Sequence, residues 1–211
     1  MKIFLRFNMS LLATAFAILV ASGISYGNNK PEVVCNFSSV EEVAGVFTVN
    51  NLKCETTKNT EGKNAVTLTA VPENSKFKFC KLTAFGPLTP EEKKTFISSE
   101  WEGEYSGKSI FGKMTGDWSR FETLKVNITN NSKKIVNLDI SILDDKSGSG
   151  YQGRFTTRQV LRPGFNNVEM EIGGMCSENS RALDMKKVKC FWISWGVSDG
   201  ESLTFDNMRL E

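Results

Sequence analysis

The sequence predicts an all-β fold, an antiparallel β-sandwich with at most one or two short helices. Three observations predict it. Between Asp117 and Glu211, stretches rich in β-branched and aromatic residues recur at even spacing, separated by Gly, Asn, Asp and Pro clusters. Within them Val136, Leu138, Ile140 and Ile142 alternate strictly with polar neighbours, so one face is buried and the other wet. Hardly any helical period intervenes, which fits a sandwich better than strands alternating with helices.

Taken in order, the early strand candidates are residues 33–37, 45–52, 64–71 and 76–82, with the turn signal Asn59-Thr60-Glu61-Gly62 before the third. At Thr89-Pro90-Glu91-Glu92 a threonine N-cap, a proline at the first helical position and acids in the first turn predict a short helix. Trp101 and Tyr105 then lie on a glycine-punctuated loop of the type that can border a binding face. Trp118 opens the regular region and is assigned to the core. Phe121, Leu124, Val126 and Ile128 lead into the turn Asn130-Asn131-Ser132, and Asp144-Asp145-Lys146 starts a loop after the alternating strand. Residues 151–160 form the next strand, Arg162-Pro163-Gly164 a turn, and residues 165–172, 188–197 and 202–210 complete the sandwich.

The chain opens with Lys2 and Arg6 and then an apolar run from Leu11 to Val20, the order of a signal peptide. The run is shorter than the about 20 apolar residues of a bilayer span. Small residues Ser25 and Gly27 suit cleavage before Asn28, which gives a signal peptide over 1–27 and a single β-sandwich domain over 28–211. A bacterial-type signal implies a secreted or periplasmic protein. Removal of Lys2 and Arg6 from 26 basic residues leaves 24 against 24 acidic ones. A neutral chain without a long basic run is poorly suited to nucleic acid.

Export permits disulfides among Cys35, Cys54, Cys80, Cys176 and Cys190. The odd count leaves at least one unpaired, or paired with another chain. One local bridge in the first third and one between Cys176 and Cys190 is the expectation, with free buried thiols the alternative. There is no histidine, which removes the commonest general base and the Ser-His-Asp and Cys-His arrangements. Hydrolysis would need two carboxylates across the scissile bond, and Asp144, Asp145, Glu102 and Glu104 read more simply as loop acids.

In Val188-Lys189-Cys190-Phe191-Trp192-Ile193-Ser194-Trp195-Gly196-Val197, alternation sends Phe191, Ile193, Trp195 and Val197 to the core and leaves Trp192 on the other face. That tryptophan is either a stacking platform for a sugar ring or is covered by another segment.

Asp117-Trp118-Ser119, the Leu161-Arg162-Pro163-Gly164-Phe165-Asn166 turn, Leu183-Asp184-Met185 and the closing Phe205-Asp206-Asn207-Met208-Arg209-Leu210 resemble the galactose-binding-like jelly rolls. These include many non-catalytic carbohydrate-binding modules and accessory domains of secreted glycoside hydrolases. The resemblance implies a structural calcium, with Asp206 in the terminal-strand position and Glu61, Gly62 and Asn64 in the loop that supplies further oxygens. Asn36-Phe37-Ser38 carries serine where the group commonly has glutamate, and calcium wants six to eight oxygens. Without the metal, Asp206 would hydrogen-bond the opposite loop. In the resembled group the strand holding Tyr151, Gln152, Arg154 and Arg158 crosses the ligand-facing sheet, so Trp192, Tyr151, Arg154 and Gln152, rimmed by Trp101 and Tyr105, are the candidate ligand-binding residues. The expected function is an exported, non-catalytic carbohydrate-binding module that holds a poly- or oligosaccharide on a sheet face through aromatic stacking. The alternative is an envelope or extracellular protein–protein interaction domain of the same fold.

Overall fold

A computed structural model describes residues 30–71, 79–91, 114–147, 151–196 and 201–211. Alternating apolar residues fold this chain into two antiparallel sheets facing one another across one core. The six-stranded sheet runs β3 (Leu52–Lys58), β4 (Asn64–Ala70), β11 (Ser202–Leu210), β6 (Thr123–Asn130) and β9 (Gly164–Glu171), with β1 (Glu32–Cys35) also paired to β11. The five-stranded sheet runs β2 (Phe47–Asn50), β5 (Phe79–Phe85), β10 (Val188–Gly196), β7 (Val136–Asp144) and β8 (Phe155–Leu161).

The alternation expected in β10 holds, since Phe191, Ile193 and Trp195 are buried in the main core while Cys190 and Trp192 belong to a separate apolar cluster on the outside of the sheet. Trp118 is fully buried as expected, and its indole N–H donates to the Thr115 carbonyl at 3.0 Å. An aromatic column crosses the interior: Phe37 stacks on Phe47 and Phe205 with centroids 5.7 and 5.4 Å apart, and Trp195 lies 6.0 Å from Phe205. Offset and tilted rings at these separations add to the area they bury.

Two stretches depart from the sequence reading. Residues 45–52 are not one strand. The short helix α1 (Val40–Val46) leads into β2, Asn51 turns at φ +57°, and β3 follows as a strand of its own. Ser39 caps α1, its hydroxyl accepting from the Glu42 N–H at 3.2 Å, so Ser39-x-x-Glu42 carried the signal for this helix. Strand β8 begins at Phe155, and Tyr151–Gly153 form a short 3-10 turn before it. Residues 90 and 91 are helical, as the Thr89 cap predicts, and the rest of that expected helix lies outside the described residues.

All five cysteines are free, so neither expected bridge forms here. Cys190 is sealed beside Trp192, Phe85 and Leu143, whereas Cys176 is exposed on the connection before β10. Cys35, Cys80 and Cys190 behave as small apolar residues, burial pushing each thiol up to about 12.

Candidate functional site

The outer face of the five-stranded sheet follows from strand register. Two outward rows cross it, Thr48–Thr83–Trp192–Ser141–Thr156 and Asn50–Lys81–Ser194–Asp139–Arg158. Every member of these two rows but Trp192 is polar, while a third outward row, Phe85–Cys190–Leu143, is apolar and packs against the Trp192 ring, and Thr83, Ser141 and Trp192 are all buried. Ser141 and Thr156 share a hydrogen bond at 3.1 Å, and Arg158 forks onto both oxygens of Asp139 at 2.8 and 3.1 Å. Thr48 Oγ1 and Asn50 Oδ1 are buried without a hydrogen-bond partner. Unsatisfied oxygens are uncommon in native folds and mark places where a water or ligand atom belongs.

Of the sequence candidates, the structure brings Trp192 and Arg154 together. The guanidinium carbon of Arg154 lies 4.9 Å and the ammonium of Lys81 4.4 Å from the indole centroid, within cation–π range. Trp192 is only 5% exposed, packed with Phe85, Leu143 and Cys190. Covering, the second of its two expected fates, is what the fold gives it. Arg154 and Gln152 precede β8 rather than riding on it, and Gln152 is exposed. Tyr151 belongs to the 3-10 turn. Trp101 and Tyr105, with Glu102 and Glu104, lie outside the described residues. Lys81 is the site residue that sequence missed; its register opposite Ser194 on the neighbouring strand is the signal that would have found it.

Asp144 is no loop acid. It is 1% exposed at the end of β7, and Arg181 grips both its oxygens at 2.6 and 2.8 Å while the Asp184 N–H and Ser147 hydroxyl donate at 2.8 and 2.7 Å. Burial acts to raise its pKa, but these donors outweigh it and hold the carboxyl at about 2. The pair staples the turn after β7 to the segment before β10.

The residues expected around a metal, Asp206, Glu61 and Asn64, border a cavity of about 630 Å³ on the outer face of the other sheet. Asp206 takes the alternative path expected for it, accepting from Asn59 Nδ2 at 2.6 Å. That amide cannot simply be turned over, because Asn59 Oδ1 already accepts from the Glu61 and Lys63 N–H groups at 2.9 Å each. Glu61 pairs with Lys63 at 2.7 Å, Gly62 makes the turn at φ +76°, and Asn64 accepts from Lys58. Among the described residues no three His, Cys, Asp or Glu gather for a metal. The Asn59 amide holds one oxygen of Asp206 and leaves the other open, and calcium would need about five or more further oxygens beside it. Melting curves with calcium and with chelator test the expected metal: a calcium site at a hundredfold its Kd would raise Tm by about 5–10 °C, and superimposed curves would exclude it.

Two antiparallel sheets in this order make a jelly-roll β-sandwich. Solved structures share it. A family 11 carbohydrate-binding module from Clostridium thermocellum, in complex with a β-1,3-1,4-mixed-linked tetrasaccharide, superposes with a TM-score of 0.53 at 11% identity, covering 85% of this chain and 94% of that one. The family 11 module of a cellulosomal cellulase of the same organism gives 0.54 at 10% identity over 86% and 94%. An exo-β-agarase gives 0.56 at 14% identity, covering 85% of this chain but 24% of the enzyme. No protein-family model matches the sequence, and no curated protein matches it.

Proposed function

We propose that this chain is an exported, non-catalytic carbohydrate-binding module that holds a poly- or oligosaccharide on the outer face of the five-stranded sheet. The observation that carries this reading is the pair of polar rows around Trp192, with Thr48 Oγ1 and Asn50 Oδ1 still lacking partners. Sugars need hydroxyl partners at fixed spacing and one aromatic face for their C–H surface, and β-strand register supplies both. The side chains of Lys81 and Arg154 now occupy the space over the ring; both are long, and a pyranose takes their place by displacing them. A jelly-roll module with a bound tetrasaccharide among the structural neighbours supports the reading. Among the described residues, Asp139 is paired with Arg158 and Asp144 with Arg181. The order of Lys2 and Arg6 before the apolar run Leu11–Val20, which is that of a signal peptide, supports export.

Calorimetric titration of the chain with mixed-linkage glucotetraose, xylotetraose and agarotetraose tests it. Trp192→Ala is expected to weaken binding by about tenfold or more, and Trp192→Phe, which keeps a ring and guards against a folding defect, to retain most of it. Tight binding unchanged in Trp192→Ala would rule the face out, and capture of a protein partner with no glycan bound would favour the interaction-domain alternative.

A further inference from the structure

The cavity on the opposite side of the sandwich is built for a ligand that the reading above does not use. Strand β11 pairs with β6 along one edge, but its other edge passes from β4, opposite residues 202–205, to β1, opposite residues 208–210. At the changeover a bulge lies between Asp206 and Arg209, and Asn207 adopts φ +49°. Bulges re-aim side chains, and here both Asp206 and Asn207 face the cavity. Phe37 sits at φ +54°, a costly conformation for a bulky residue, held by its stacking on Phe47 and Phe205. Its neighbours Asn36 and Ser38 are thereby brought to the rim, where Glu42 of α1 clamps them: Oε1 accepts from Asn36 N–H at 2.8 Å and Oε2 from Ser38 N–H at 2.8 Å and its hydroxyl at 2.6 Å. Two strained residues and an ion clamp thus shape one polar trough.

We propose that this trough is a second saccharide site, independent of the Trp192 face, that takes one or two rings of a neutral glycan. Its volume of about 630 Å³ falls within the range of small-ligand sites. Asn127 and Thr129 form its floor and offer both donors and acceptors, as hydroxyl groups require. Asp206 Oδ2 is held by Asn59, and Oδ1 remains to accept from a sugar hydroxyl. Phe165, 59% exposed, stands at the margin two strands from β11, roughly 10 Å away. A pyranose lying diagonally over Thr129, which pairs with Phe165, and Asn127, which pairs with Asp206, turns its C–H face to the ring and its hydroxyls toward Asp206. Lys63 is paired with Glu61 and Arg209 with Glu211, so the cations of the trough are matched by carboxylates, as a neutral ligand requires.

The test is amide-shift mapping of the isotope-labelled chain with cellotriose, xylotriose and maltotriose, in wild type, Phe165→Ala and Asp206→Asn. Phe165 is exposed and Asp206→Asn is isosteric, so both variants are expected to fold, with melting curves as the check. At least one trisaccharide is expected to shift amides of β4, β6, β9 and β11, with affinity at those amides reduced about tenfold or more in each variant. No shift there with any of the three sugars, or wild-type affinity in both variants, overturns the proposal. Because the readout is local, shifts on β10 and on β11 report the two sites separately, and either can fail alone.

Discussion

Phe205→Ala is expected to lower the stability of the folded chain by about 4 kcal/mol, the cost of emptying a fully enclosed phenylalanine site. Phe205 links Phe37 and Trp195, so its loss removes ring contacts on both sides and leaves a hole between the sheets. Neither sheet can close on the void without shifting β11, which is paired on both edges. For a domain of this size the drop in Tm is roughly 8–16 °C. Chemical denaturation should show a lower midpoint with little change in slope. The variant also loosens Phe37, and weaker binding in the polar trough is expected to accompany the lost stability.

Arg181→Met is expected to cost about 3 kcal/mol near neutral pH, because it leaves the Asp144 carboxylate buried without its countercharge. The pH dependence distinguishes this from a packing defect. In the native chain Asp144 titrates at about 2, below its ordinary value of 3.8. A carboxyl depressed on folding contributes stability that is fully present above the unfolded pKa and is lost as pH falls through the folded one. The gap between wild type and Arg181→Met should therefore be widest above about pH 5 and close between about pH 4 and pH 2. A gap independent of pH would assign Arg181 a packing role alone.

The sheets were legible because β6, β7 and the inward residues of β10 alternate cleanly and each alternation has a single physical solution. Trp192 could be placed on the outer face for the same reason. Its burial could not, since Lys81 and Arg154 reach it from β5 and from the turn before β8, pairings that no local pattern encodes. Residues 40–58 misled because a seven-residue helix and two strands follow one another with a positive-φ asparagine as the only punctuation. The same blindness to long-range partners made Asp144 look like a loop acid, when Arg181, far along the chain, converts it into a buried staple. Asp206 hydrogen-bonds the opposite loop, the path left to it in the absence of a metal. Its partner, the Asn59 amide, depends on a hydrogen-bonded turn whose geometry only the folded chain reveals.

The central claim is that a glycan binds on the outer face of the five-stranded sheet. Titrating isotope-labelled protein with mixed-linkage glucotetraose and agarotetraose while following every amide tests it most directly. The account predicts shifts centred on Trp192 and spreading over β5, β10, β7 and β8. Saturating titrations that leave those four strands unmoved would contradict it.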